Sequence, residues 1–181
     1  ENALVGGFDE MTPDHVKLLR TTDQYHPNYG AKPGQGAGFF VLDSKLHEHS
    51  YAQYKDLKTL YRPSIADLEQ HLKDLIDTHH IDVEKLVVLM GNNGIEAEEK
   101  LYHHLENKVF SDSHIAHYKH LSGEYYTSTA FAFWVACQIL KKQRLPNALN
   151  PKSIPDADIQ HVLIYNQFMS LEHSLILLAK C

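Results

Sequence analysis

The chain has 181 residues, with 17 Lys and Arg against 23 Asp and Glu, giving a formal net charge of −6 with histidine neutral. That length suits one domain or a large piece of a bigger one, and 43% apolar with 22% charged residues excludes a disordered chain. The acidic balance argues against binding nucleic acid through a basic surface, and the lack of an apolar run of about 18 residues argues against a membrane-spanning helix.

The first residues, Glu1-Asn2-Ala3-Leu4-Val5, carry neither an initiator methionine nor a signal peptide, and an apolar start of this kind suggests a chain cut inside a fold. Residues 2–7 predict a short buried strand ending in Gly6-Gly7, a pair that permits a sharp turn. Thr12-Pro13 reads as an N-cap followed by proline in the first turn, opening a helix to about Thr21. Residues 26–36, from His26-Pro27-Asn28-Tyr29-Gly30 to Pro33-Gly34-Gln35-Gly36, form a turn-rich loop. Ala37 to Leu42 is an apolar strand, and residues 50–61 read as extended, although Tyr51, Tyr54, Leu57 and Leu60 also fit a helix. Ser64 caps a helix to about His79 with Ile65, Leu68, Leu72, Leu75 and Ile76 on one stripe.

Leu86-Val87-Val88-Leu89-Met90 is a short buried strand, Gly91-Asn92-Asn93-Gly94 a loop, 95–107 a helix and 114–118 another strand. From Tyr125 to Lys142 runs a helix in which Ala130 to Cys137 leave no polar face, so it must be buried all round. Two final strands, 161–166 and 174–179, read as a terminal hairpin or adjacent pair. This alternation predicts an α/β sheet covered by helices, and the wholly apolar helix implies a layer between two sheets.

Cys137 and Cys181 are too few for a disulfide framework and read as free thiols of a reducing, cytoplasmic compartment. Cys137 lies among Val135, Ala136 and Ile139, with nothing to stabilise a thiolate. Fourteen histidines, among them His103-His104 and His114-x-x-His117-x-x-His120, raise the question of a metal. On a strand, positions three apart point to opposite faces, so one ion would not collect all three, and no metal is expected. His47-Glu48-His49 is too short for a helical zinc motif and reads as a solvated turn. Gly34-x-Gly36-x-Gly38 precedes a strand and is therefore no dinucleotide fingerprint. Phe131, Phe133 and Trp134 read as core packing. Asn92-Asn93-Gly94 followed by Glu96, Glu98 and Glu99 reads either as a helix start with carboxylates favouring the dipole or as a remnant active-site loop.

Four segments, in the right order, resemble the β-ketoacyl synthases of the thiolase superfamily. Ala3-Leu4-Val5-Gly6-Gly7-Phe8-Asp9-Glu10 is similar to the strand and turn after the nucleophile helix. Gly34-Gln35-Gly36-Ala37-Gly38-Phe39-Phe40-Val41-Leu42 is similar to that family's glycine-rich strand start. Lys119-His120-Leu121-Ser122-Gly123-Glu124 with the buried helix resembles its Lys…Gly-His segment, and Val162-Leu163-Ile164-Tyr165-Asn166-Gln167-Phe168 resembles the strand leading into its Asn-x-Phe-Gly loop. The match spans essentially the whole chain but only the C-terminal half of such an enzyme. The resemblance implies an α/β, thiolase-like layered α/β/α/β/α fold of which this chain supplies roughly the second half. Residues 1–43 would end the N-terminal half and residues 44–181 would form the C-terminal half.

The departures from that pattern bear on chemistry. The family acylates a Cys and uses two His, or one His and one Asn, to stabilise the carbanion and enolate that follow decarboxylation of a malonyl thioester. The nucleophile segment would lie upstream of Glu1. The first His position holds Met90, the second holds Glu124, and the final gating loop reads Met169-Ser170-Leu171-Glu172-His173 without glycine, whereas Lys119, Asn166 and Phe168 match. Met90 cannot donate a hydrogen bond, a carboxylate at Glu124 repels a developing enolate unless protonated, and Asn92 or Asn93 would restore one donor but not the pair. The residues implied at active-site positions are thus Asn92, Asn93, Lys119 and Glu124; Tyr125, Thr127, Asn166 and Phe168 would line an acyl pocket.

By resemblance the chain is a catalytically degenerate subunit, comparable to a chain-length factor, in fatty acid, polyketide or polyene biosynthesis. Its partners would be an acyl carrier protein, an active ketosynthase or a second copy, and the upstream half of the fold; no cofactor is expected. The alternatives are a divergent active synthase with its Cys upstream, or a non-enzymatic scaffold on the same fold. Alone, the chain would not be a stable catalyst.

Overall fold

The computed structural model describes residues 1–22, 31–153 and 158–181. Strands β1 (Asn2–Asp9) and β2 (Gly36–Asp43) pair antiparallel as a two-stranded sheet, from Asn2 opposite Asp43 to Asp9 opposite Gly36. Helix α1 (Pro13–Thr21) lies between them in sequence; the Thr12 hydroxyl accepts from the His15 N–H and caps it. Of the expected loop 26–36, residues 26–30 lie outside the described residues. The rest is tied down by backbone bonds: the Glu124 N–H donates to the Lys32 carbonyl (2.7 Å) and the Gly34 N–H to the Glu124 carbonyl (2.9 Å).

The main sheet has five strands, β3 (Gln53–Tyr61), β4 (Leu86–Met90), β5 (His114–His117), β6 (His161–Phe168) and β7 (Glu172–Ala179), in the spatial order β3-β7-β6-β4-β5. β7 runs antiparallel to both neighbours, so the other four point one way. Helices α2 (Ile65–Thr78) and α3 (Glu96–Lys108) cover one face, where Leu68, Leu72, Tyr102 and Leu105 meet Leu86, Val88, Met90 and Leu163. Helix α5 (Ser128–Lys142) covers the other, where Ala132, Val135, Ala136 and Ile139 meet Val87, Leu89, Val162 and Ile164. β4 is therefore buried on both faces, which its unbroken apolar run requires. The far side of α5 packs on β2, with the Phe40 and Phe133 rings 4.6 Å apart. The layers run α2/α3, five-stranded sheet, α5, two-stranded sheet.

Ser64 forms a full capping box with Asp67, as its sequence predicts. Four expectations need correction. β1 is not buried: Leu4 and Phe8 are each 72% exposed, because among the described residues nothing covers the outer face of the two-stranded sheet. α5 is not buried all round, since Trp134 is 51% exposed beside the uncovered face of β3. Ile65 leaves the buried stripe of α2 because it sits in the first turn, beyond the sheet edge. The helix expected from Tyr125 starts at Ser128, after a turn closed by the Ser128 N–H on the Tyr125 carbonyl, and a short helix α4 (Lys119–Ser122) precedes it. The spaced histidines have separate partners: His114 binds Ser153, His117 binds Asn92, and His120, on α4 and not on the strand, binds the Ala148 carbonyl.

Candidate functional site

The carboxyl ends of β4 and β6 meet the turns before α3 and α5 at one end of the sheet. β4 stops at Met90, fully buried among the α2 and α3 side chains. Gly91 follows because its space is taken: a Cβ there would lie 2.4 Å from Asn166 Oδ1. Its N–H donates to the Tyr165 carbonyl at 2.9 Å. Asn92 and Asn93 then turn back on the first turn of α3. The Asn92 amide donates to Glu99 (2.7 Å), Glu99 also accepts the Gly94 N–H (3.0 Å), and Asn93 Oδ1 accepts the Ile95 N–H (3.1 Å). Carboxylates thus serve the N-terminus of α3, which has no capping side chain at Ile95.

The second amide connects further. Asn93 Nδ2 donates to Glu98 Oε2 at 2.8 Å and lies 3.1 Å from Glu124 Oε2. Glu98 also accepts from Gln167 Nε2 at 2.6 Å, and Glu124 accepts from Lys119 Nζ at 2.5 Å. The result is a chain of partners, Gln167–Glu98–Asn93–Glu124–Lys119, drawn from β6, α3, the loop after β4 and the α4–α5 turn. Burial pushes the Lys119 pKa down, and the Glu124 carboxylate acts against that. Burial likewise pushes Glu98 up, opposed by its hydrogen bonds from Asn93 and Gln167. Asn92 Oδ1 also accepts from His117 Nδ1 at 3.0 Å, in the imidazole tautomer that carries its proton on Nδ1; burial pushes that imidazole's pKa down.

A pocket of about 460 Å³ opens beside this chain, between the start of α5 and the uncovered face of β3 and β7. Glu124, Tyr125, Asn166 and Phe168 line it, joined by Tyr126 and Thr129 and by Thr59, Tyr61, Glu172 and Ser174 of the sheet. The Phe168 ring meets Tyr126 edge-on at 5.8 Å. The Tyr125 hydroxyl lies against Gly36, where a Cβ would come within 2.6 Å of it. Lys119 and Asn93 stand behind Glu124, and Asn92, bonded to Glu99 and His117, lies outside that chain of partners. Thr127 does not line the pocket: its N–H and hydroxyl both donate to Asp9 Oδ2, at 2.7 and 2.6 Å, pinning the two-stranded sheet to α5.

Seven of the eight residues singled out by sequence therefore gather around one end of the sheet. Gln167 and Asp9 were not singled out by sequence, and Glu98 only as one of three carboxylates after the Asn92-Asn93-Gly94 loop. Gln167 stands between two matched residues, and Glu98 in an acidic first turn, but neither pattern announces a partner 69 positions away. Chemically, both asparagine amides are directed at carboxylates, Asn93 with two bonds and Asn92 with one, and the wall at Glu124 presents an acceptor, not a donor. Among the described residues no three His, Cys, Asp or Glu side chains are placed to hold a metal, and no helix is long and apolar enough to cross a membrane.

No protein-family profile and no curated protein matches the sequence. Solved structures do. A ketosynthase/chain length factor for ishigamide superposes with a TM-score of 0.75 at 14% identity, over 99% of this chain and 54% of that one. A type II polyketide ketosynthase in complex with its acyl-carrier protein gives 0.69 at 16%, over 100% and 52%. The ketosynthase from module 6 of the bacillaene synthase of Bacillus subtilis gives 0.74 at 17%, over 99% and 42%. The chain spans about half the length of these structures and has, over that half, the thiolase-type fold of the ketosynthases.

Proposed function

We propose that the chain is a ketosynthase-like subunit of carrier-protein-dependent fatty acid, polyketide or polyene synthesis, and that it is non-catalytic, in the manner of a chain-length factor. The observation that carries this reading is the Glu124–Lys119 pair. Where the family places an imidazole donor, the wall holds a carboxylate clamped by an ammonium at 2.5 Å and an amide at 3.1 Å. An oxyanion developing there would meet negative charge, the reverse of what stabilises it. The Asn93 amide is taken by Glu98 and Glu124, the Asn92 amide is turned to Glu99, and Met90 is out of reach in the core. In this reading residues 1–43 complete an upstream half, residues 44–181 form the second half, and Tyr125, Asn166 and Phe168 border the acyl cavity. The partners are an active ketosynthase or a second copy, together with an acyl carrier protein, in the cytoplasm. The ketosynthase/chain length factor and the carrier-protein complex among the similar structures support those partners.

A divergent active synthase is favoured by one observation: Lys119, Asn166 and Phe168 keep the family's residue types at the sheet end. Its Cys would come from the upstream half. Reconstitution with that half, malonyl- and acyl-carrier protein decides between the two. The non-catalytic reading predicts no condensation by this subunit and co-purification with a ketosynthase. Condensation abolished by replacing an upstream Cys and weakened by Glu124→Ala would sink it.

A further inference from the structure

The pocket at the sheet end has an unusual balance of charge. Strand register places Phe168, Glu172 and Tyr61 in one cross-strand row and Asn166, Ser174 and Thr59 in the next, all on the face turned to α5. Glu172 thus stands on the floor and Glu124 on the wall. The cation nearest Glu124 is Lys119, but it is only 3% exposed and does not line the pocket, so a bound anion meets the carboxylate before the ammonium. Arg62 lies over the Tyr61 ring, 5.2 Å from its centroid, and is also outside the lining. His173 does line the pocket, yet its Nδ1 is engaged with the Tyr165 hydroxyl at 2.9 Å and burial favours its neutral form. Asn166 lines the pocket and brings no charge to it. Hydroxyls of Thr59, Thr129 and Ser174 complete an uncharged polar surface.

We infer that this pocket sorts acyl groups by charge, admitting an uncharged acyl or 3-oxoacyl thioester and rejecting a carboxylated one of the malonyl type, with Glu124 as the specificity-determining residue. The inference rests on reading the pocket as an acyl cavity, and it names what the cavity takes: the growing chain and not the extender unit. Two like charges in a partly dry pocket repel far more than in water, whereas a ketone in place of the carboxylate keeps shape and size and can accept from the pocket hydroxyls.

Acetoacetyl-pantetheine and malonyl-pantetheine, nearly equal in shape, test this by titration calorimetry on the full-length protein. The acetoacetyl thioester is expected to bind about tenfold more tightly, a difference of about 1.4 kcal/mol. Glu124→Gln, which removes the charge and leaves Lys119 uncompensated, should close or reverse that gap; Glu172→Gln should narrow it without touching the Lys119 cluster. Equal or tighter malonyl binding by the unaltered protein overturns the inference, and so does a gap that neither variant changes. If neither thioester binds while a ketosynthase still co-purifies, the charge sorting fails and the chain-length-factor reading stands. Discrimination retained without any ketosynthase partner supports the sorting and overturns that reading.

Discussion

Lys119 and three buried or half-buried histidines meet the cost of burying an ionisable group in opposite ways. Lys119 is 3% exposed and keeps a carboxylate at 2.5 Å, which favours its charge against the loss of water. His117, His161 and His173 have no such strong partner, and burial pushes each pKa below 6.5. A histidine of that kind binds its proton more readily in the unfolded chain. Its contribution to stability is therefore complete above pH 6.5 and is lost as pH falls from there through the folded value. Glu98 acts the other way: its pKa is raised above 4.5, so its contribution is complete below 4.5 and is lost as pH rises through the folded value. With three imidazoles against one carboxyl, the melting temperature should drop as pH is lowered from about 7.5 to about 5.5. Thermal melts by circular dichroism across that interval check this, and a flat or rising profile contradicts it.

At the level of elements, the turn between β6 and β7 carries visible strain. Its two central residues, Met169 and Ser170, both have φ of 54°, and the Leu171 N–H closes on the Phe168 carbonyl at 3.0 Å. A hairpin of this hand favours Asn-Gly, and a side-chain-bearing residue in the left-handed region is strained by about 1 kcal/mol. Ser170→Gly should therefore stabilise the protein by about 0.5 kcal/mol once glycine's own entropy is counted, read as a small rise in the urea midpoint; a fall contradicts the argument. The same turn shows where local pattern stops informing. Ser64, Thr12 and the run from Leu86 to Met90 declare their elements because caps and burial are local properties. A four-residue helix such as α4 has no period to read, and the exposure of Trp134 and Phe8 depends on what lies across the sheet. The site was legible only through family resemblance at Lys119, Glu124, Asn166 and Phe168. Its wiring through Glu98 and Gln167 was not, because a hydrogen bond across 69 residues leaves no spacing in the sequence.

Across the whole molecule, one carboxylate ties the two-stranded sheet to the start of α5. Asp9, at the end of β1, accepts both the N–H and the hydroxyl of Thr127, 118 residues away, at the start of α5. Asp9→Ala should loosen the two-stranded sheet from α5 at a cost of about 1–2 kcal/mol. Hydrogen exchange should quicken in β1 and β2 while β4 and β6 keep their protection; uniform protection in all four would argue against this clasp. The five-stranded sheet has a different dependence, set by order of synthesis. β7 is made last, yet it lies between β3 and β6, with Gln53 opposite Ala179 on one side and His161 opposite Ala179 on the other. While the ribosome is still adding residue 171, β3 has no strand to pair with, and its backbone N–H and C=O groups stand unpaired on both edges. Closing the sheet therefore waits on the pairing of its first strand with its last, a contact of high sequence separation and the kind that forms slowly.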